Sequence, residues 1–280
     1  MAVEIIGGLW SGSLSLLADA GHMLSDAAAL GLSLIAARLA VRPRTPEKTF
    51  GWRRFEILAA LINGAALWAV SAIVALEAVK RLGEPRPVLG GPMLGVAAAG
   101  LMANAAAAVA LHGGRTRSLN LKGAYLHVLA DAMGSLSVLL AALIIRLTGW
   151  LPADPLAGAL IAVLIVFSSW RLIQESFQIL MEGAPGHLRS DDMVASLASI
   201  PDVVKVHDFH VWTVSPGWIS LSVHLVVVRT ADSASILSEA QTRLFERFGI
   251  EHATIQIESA DNPACSTETC GNAEPSEPST

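Results

Sequence analysis

Five long apolar runs, at roughly 14–37, 55–79, 88–111, 121–147 and 155–180, alternate with short polar connections over the first two thirds of the chain. Each supplies the about 20 mainly apolar residues that a helix needs to cross a bilayer. After about residue 190 the pattern shortens. It predicts a helix near 190–199, strands near 203–213 and 218–228, a helix near 233–247 and a strand near 252–258, in the order αββαβ. Val203 to Trp212 and Ser220 to Val228 alternate and are rich in β-branched residues, and Pro216-Gly217 between them marks a turn. About 70 residues in this order point to a small ferredoxin-like α/β sandwich, a fold that hosts many functions.

The expected organisation is a polytopic α-helical membrane part over residues 1–185, a soluble domain over 186–260 and a polar tail over 261–280. Basic residues orient the spans. Arg38, Arg42, Arg44, Lys48, Arg53 and Arg54 flank the first connection and Arg115, Arg117 and Lys122 the third, which places both loops and the C-terminal domain in the cytoplasm. Ahead of the Ser11-Gly12-Ser13 turn, Val3 to Trp10 make about half a span. They look like the end of a helix that begins upstream, in a six-span protein whose first span is truncated here; a cleaved signal peptide fits less well, because no basic n-region precedes them.

Inside these apolar runs one polar pattern is written twice. His22-Met23-Leu24-Ser25-Asp26 and His127-Val128-Leu129-Ala130-Asp131 are both H-x-x-x-D. An i, i+4 pair shares one helix face, so each copy aims an imidazole and a carboxylate at one point. Two such helices supply four ligands, enough for a tetrahedral cation. A carboxylate at the centre of a span costs roughly 2.5–3.5 kcal/mol on insertion scales, so a repeated pair needs a reason beyond interhelical hydrogen bonding. Imidazole favours zinc over harder cations, and a tetrahedral site disfavours magnesium and calcium. Asp19, three residues before His22, either supports these ligands or lies near the outer interface; Asn63 and Asn104 read as hydrogen-bond partners between helices.

Composition agrees: 53% of the 280 residues are hydrophobic and 15% charged, with a mean hydropathy of +0.54. The net charge of -5 gives no reason to expect nucleic acid. The two cysteines, Cys265 and Cys270, both lie in the tail, which argues against a disulfide framework and fits a reducing compartment. An intramembrane metalloprotease would need H-E-x-x-H on a helix, and the sequence has none, so an enzyme is not expected. Four of the eight histidines, His207, His210, His224 and His252, fall in the soluble domain. His207, His224 and Glu258 could meet on one sheet face, with the tail cysteines folding back as further ligands. Strand alternation puts His207 and His210 on opposite faces unless a bulge intervenes.

The chain resembles the cation diffusion facilitator family, in particular its bacterial zinc-exporting branch. The resemblance rests on residues 12–26 (Gly-Ser-Leu-Ser-Leu-Leu-Ala-Asp-Ala-Gly-His-Met-Leu-Ser-Asp), on the stretches 49–64 and 120–131, and on Val206-His207-Asp208-Phe209-His210-Val211-Trp212. It implies a homodimer in the bacterial inner (plasma) membrane that exports Zn2+, with Cd2+ or Co2+ as further cargo, in exchange for protons by alternating access. By the resemblance, the transport site maps onto His22, Asp26, His127 and Asp131. A regulatory zinc site maps onto His207, His224 and Glu258, with His252, Cys265 and Cys270 as weaker candidates. Arg54 and Glu182 match a basic–acidic pair that joins the membrane and cytoplasmic parts in relatives. A third metal site of some relatives is not expected, since Lys48 and Trp52 occupy its positions. A membrane zinc sensor or scaffold, or an inactive truncated transporter, is the competing reading.

Overall fold

The computed structural model describes residues 1–113 and 119–261. The chain forms two compact units, one of residues 1–36 and 59–174, the other of residues 37–58 and 175–280.

The helices are α1 (Ala2–Ser11), α2 (Leu14–Ala40), α3 (Phe55–Gly83), α4 (Gly90–His112), α5 (Leu119–Thr148) and α6 (Ala153–Leu180). Among the described residues, α2 to α6 are the five long and apolar enough to cross a membrane, and α1 is a shorter apolar helix of ten residues. The five spans and the short α1 match the five complete apolar runs and the half span read from the sequence, and a full sixth span is not among the described residues. The chain turns from α1 into α2 at Gly12, whose φ of 73° is left-handed and suits a glycine. The first unit packs small residues against branched ones: Ala18, Ala97, Ala141, Ala142, Val138 and Ile161 are buried together with Leu16 and Met93. Alanine at these positions lets the helices approach closely, which replaces the hydrophobic drive that lipid does not supply. The opposite faces stay apolar and outward, as Leu30, Val109 and Phe167 show. Helices that are hydrophobic all round in this way belong in lipid.

In the second unit, α7 (Ser190–Ala198), β1 (Val203–Ser215), β2 (Trp218–Val227), α8 (Ser233–Phe248) and β3 (His252–Ser259) follow the expected αββαβ order. The sheet order is β1-β2-β3, antiparallel between the first two and parallel between the last two. Alternation drives its core. Leu221, Val223, Leu225 and Val227 of β2 are buried with Ile236, Ala240 and Leu244 of α8 and Met193 and Leu197 of α7. The α8 trio recurs every fourth residue, one stripe of an amphipathic helix. Asp232 caps α8 by accepting from the Ala234 amide at 3.1 Å, and left-handed Gly249 ends it.

One irregularity matters for function. His207 pairs with His224 and His210 with Ser222, so β1 spends three residues where β2 spends two. The extra residue is a bulge, and Asp208 within it has a φ of 48°. His210 consequently returns to the face that carries His207 and His224. The opposite-face expectation for His207 and His210 is corrected by this bulge.

Candidate metal centres

The first centre is built by α2 and α5. His22 Nε2 lies 3.6 Å from Asp26 Oδ2 on its own helix and 3.5 Å from Asp131 Oδ1 across the interface. His127 Nε2 lies 3.4 Å from Asp26 Oδ2 and 3.7 Å from Asp131 Oδ2. Each carboxylate thus faces both imidazoles. One atom from each of His22, Asp26 and Asp131 falls within 4.8 Å of the others, a spacing one ion can bridge. His127 stands on the rim: it is half exposed, and its ring centroid is 6.2 Å from that of His22. Buried His22 Nδ1 and Asp131 Oδ1 have no hydrogen-bond partner in the protein, as expected of groups that serve something other than the fold.

Asp19 is buried and lines the same cavity, of about 190 Å³, as His22 and Asp131. Its Oδ2 accepts from Ser135 Oγ at 3.2 Å, and Ser135 Oγ in turn accepts from Asn104 Nδ2 at 3.2 Å. That chain ties α2, α5 and α4 together beside the ligands. Asn63 does the same from α3, with its Oδ1 accepting from Ser25 Oγ at 3.4 Å, next to Asp26. Ser135 was not singled out in the sequence, although it sits one helical turn after Asp131 on the same face.

The second centre is on the sheet. His207 Nε2 is 3.3 Å from Glu258 Oε2, and His224 Nδ1 is 3.0 Å from Glu258 Oε1. Glu258 is almost fully buried and accepts from Gln256 Nε2 at 2.8 Å, which fixes its carboxylate toward the two imidazoles. His207, His224 and Glu258 can hold one ion. Asp208, overlooked in the sequence, reaches both neighbours: its Oδ1 is 3.0 Å from His210 Nε2 and its Oδ2 3.5 Å from His224 Nε2. Aspartate is depleted in strands, so its presence between two histidines was the available signal.

His252 is placed elsewhere, with its ring 5.9 Å from Trp218 and 6.3 Å from Phe50. Cys265 and Cys270 lie outside the described residues. Arg54 Nη2 bonds Glu182 Oε1 at 3.1 Å, and Glu182 adopts a positive φ of 59°. Lys48 Nζ lies 4.4 Å over the Trp52 ring, a cation–π pair.

Residues 1–181 match the family model of the cation efflux transmembrane domain, and residues 185–260 that of the cation efflux protein, cytoplasmic domain. The chain belongs to the cation efflux family. Cation efflux proteins similar to it include the zinc transporter ZitB of Escherichia coli (strain K12), 44% identical over 92% of this chain and 83% of that protein. The cadmium, cobalt and zinc/H(+)-K(+) antiporter of Bacillus subtilis (strain 168) is 42% identical over 92% of this chain and 84% of that protein. The metal cation efflux system protein CzcD of Cupriavidus metallidurans is 38% identical over 93% of this chain and 83% of that protein. These relatives are named as transporters or efflux proteins, not as enzymes. The solved metal-bound C-terminal domain of the CzcD transporter matches 25% of this chain and 99% of that chain at 30% identity, with a TM-score of 0.25.

As a cation efflux protein, the chain is membrane-embedded and its C-terminal domain is cytoplasmic. Counting back from that domain, α6, α4 and α2 each enter from the outer side, and the basic loop at 41–54 lies inside.

Proposed function

We propose that this cation efflux protein exports Zn2+ from the cytoplasm of a bacterial cell across the inner membrane in exchange for protons, by alternating access around His22, Asp26, His127 and Asp131. The observation that carries this reading is the convergence of two carboxylates and two imidazoles from α2 and α5, each carboxylate within 3.4–3.7 Å of both imidazoles. Zinc suits such a mixed nitrogen and oxygen set, and Cd2+ and Co2+ are further cargo that it accepts. Residues 1–185 form the transport part, 186–260 the cytoplasmic domain and 261–280 the tail.

Metal ligation requires neutral imidazole, so protons and zinc compete for His22 and His127. With zinc, two carboxylates offset a divalent ion; with two protonated imidazoles, the same carboxylates offset two single charges. Both loaded states are electrically neutral, which keeps the crossing tolerable in a low-dielectric core. Binding from the cytoplasm releases protons, and reprotonation on a more acidic outer side weakens the site and frees the ion.

The protein acts as a homodimer joined through its cytoplasmic domain, where His207, His224 and Glu258 hold a zinc ion that raises activity when cytoplasmic metal is high. Their support is the short reach of Glu258 to both imidazoles and its burial.

Purified protein in proteoliposomes, with zinc outside and an acidic lumen, tests the reading. Zinc uptake driven by the pH gradient is expected, with loss in His22→Ala. Gradient-dependent uptake retained by His22→Ala refutes the site, and no uptake by the unaltered protein refutes transport.

A further inference from the structure

The most densely satisfied buried carboxylate in the first unit is not a metal ligand. Asp154, in the first turn of α6, has no exposed surface. Its Oδ1 accepts from Ser13 Oγ at 2.6 Å, Ser15 Oγ at 2.7 Å and the Ser15 amide at 3.1 Å. Its Oδ2 accepts from the Leu14 amide at 2.7 Å. Arg81, at the end of α3, donates from Nη1 to the Gly12 carbonyl at 2.6 Å and lies 3.7 Å from Asp154 Oδ2. The Leu89 amide, ahead of α4, donates to the Ser11 carbonyl at 2.9 Å. One five-residue turn, Ser11 to Ser15, is therefore held from α6, from α3 and from the α3–α4 connection.

Helix capping accounts for only part of this. Ser13 Oγ accepts from the Leu16 amide at 3.2 Å, the local cap of α2, and Asp154 takes the Leu14 and Ser15 amides of the same first turn from across the bundle. The bonds that Asp154 accepts from the Ser13 and Ser15 hydroxyls go beyond capping, and all of its bonds run between helices. At that point α2 and α6 touch: a Cβ placed on Gly158 would meet Leu14 Cγ at 3.3 Å. Topology puts the knot at the outer end of the bundle, since α6 ends in the cytoplasmic domain and α2 ends in the basic inner loop. His22 lies seven residues further along α2 than Ser15, about 10 Å deeper at 1.5 Å per residue. The knot thus stands between the transport site and the outer side.

Its chemistry suits a seal that must also open. Buried, the Asp154 carboxylate and the Ser13 and Ser15 hydroxyls are all paired, and of the turn's side chains Ser11 Oγ is left without a partner. Parted, each can bond water instead, so opening exchanges hydrogen bonds rather than exposing a large apolar face. We propose that Asp154, with Arg81 and the Ser11–Ser15 turn, is the latch of an outer gate that keeps the transport site closed toward the non-cytoplasmic side and parts to release the ion. This inference rests on the export reading above.

The test uses full-length protein in membrane vesicles with Cys265 and Cys270 replaced by serine and one reporter, Ala157→Cys, on the turn of α6 below Asp154. Ala157 is buried, so a membrane-impermeant thiol reagent applied from the outer side labels it slowly when the latch is shut. In Asp154→Asn the labelling rate is expected to rise about tenfold, the order one lost charge-assisted hydrogen bond gives. Arg81→Gln is expected to raise it in the same direction by about threefold, because its contact with Asp154 is longer. A purely structural cap would lower thermal stability without changing labelling of the folded protein. Unchanged labelling in folded Asp154→Asn overturns the latch. Should that variant not elute as folded protein, Arg81→Gln and Ser15→Ala carry the test, and unchanged labelling in both overturns it. Labelling needs no ion flux, so protein that transports no zinc yet shows the labelling response refutes the export reading and not the gate.

Discussion

Asp131→Asn removes one charge from the transport site and keeps the shape of the side chain. In the structure Asp131 faces His22 at 3.5 Å and His127 at 3.7 Å, so an ion held between the imidazoles lies against its carboxylate. Opposite unit charges 4 Å apart attract by roughly 4 kcal/mol at an effective dielectric near 20, and a divalent ion doubles that to roughly 8 kcal/mol. Asp131 keeps 14% of its side chain exposed, and water reaching it screens about half of the attraction. The remaining ~4 kcal/mol corresponds to roughly a thousandfold at 1.4 kcal/mol per decade. The assay is initial zinc flux into proteoliposomes at fixed pH gradient, read as kcat/KM so that binding and turnover losses are counted together. Leu30→Ala, on the same helix as His22 but 75% exposed on its lipid-facing side, is the matched control and should change kcat/KM less than about threefold. A loss below tenfold in Asp131→Asn, with the protein folded and reconstituted as the unaltered chain, refutes the assignment of Asp131 as a ligand.

Three further outcomes are expected. Glu258→Gln should bind one zinc ion fewer per chain in equilibrium dialysis while keeping the transport-site ion, because its carboxylate faces both His207 and His224. Gly64→Ala should destabilise the first unit by about 1–3 kcal/mol, since the new Cβ would lie 2.5 Å from Ile173 Cγ1; thermal unfolding should show this loss and its relief when Ile173→Ala is added. Asp232→Ala should cost about 1 kcal/mol through the lost cap on α8, read as a lower Tm of the cytoplasmic domain with zinc flux unchanged.

The sequence was legible where one physical rule dominates. Span lengths follow from bilayer thickness, so α2, α3, α4, α5 and α6 fall within a few residues of the apolar runs. The i, i+4 geometry of a helix likewise brings His22, Asp26, His127 and Asp131 together in the structure. On the sheet the same kind of rule misled, because alternation carries no information about a bulge, and the left-handed Asp208 changed which face His210 occupies. The Asp154 knot was illegible for another reason. Its partners are separated by up to 141 residues, and serine, glycine and aspartate at a turn look like ordinary turn chemistry until the far helix is seen to supply the acceptor.

The bulge at Asp208 also changes how ligand spacing in a strand should be counted. On a regular strand, donors that share a face are an even number of residues apart, so His-x-His is the arrangement that aims two rings at one side. Here His-x-x-His achieves it, because one residue is absorbed by the kink. A search for rings sharing a strand face that is restricted to even spacings would pass over this pair. A single-residue deletion at 208 would bring the sequence back to the even pattern while removing the carboxylate that stands between the His210 and His224 rings.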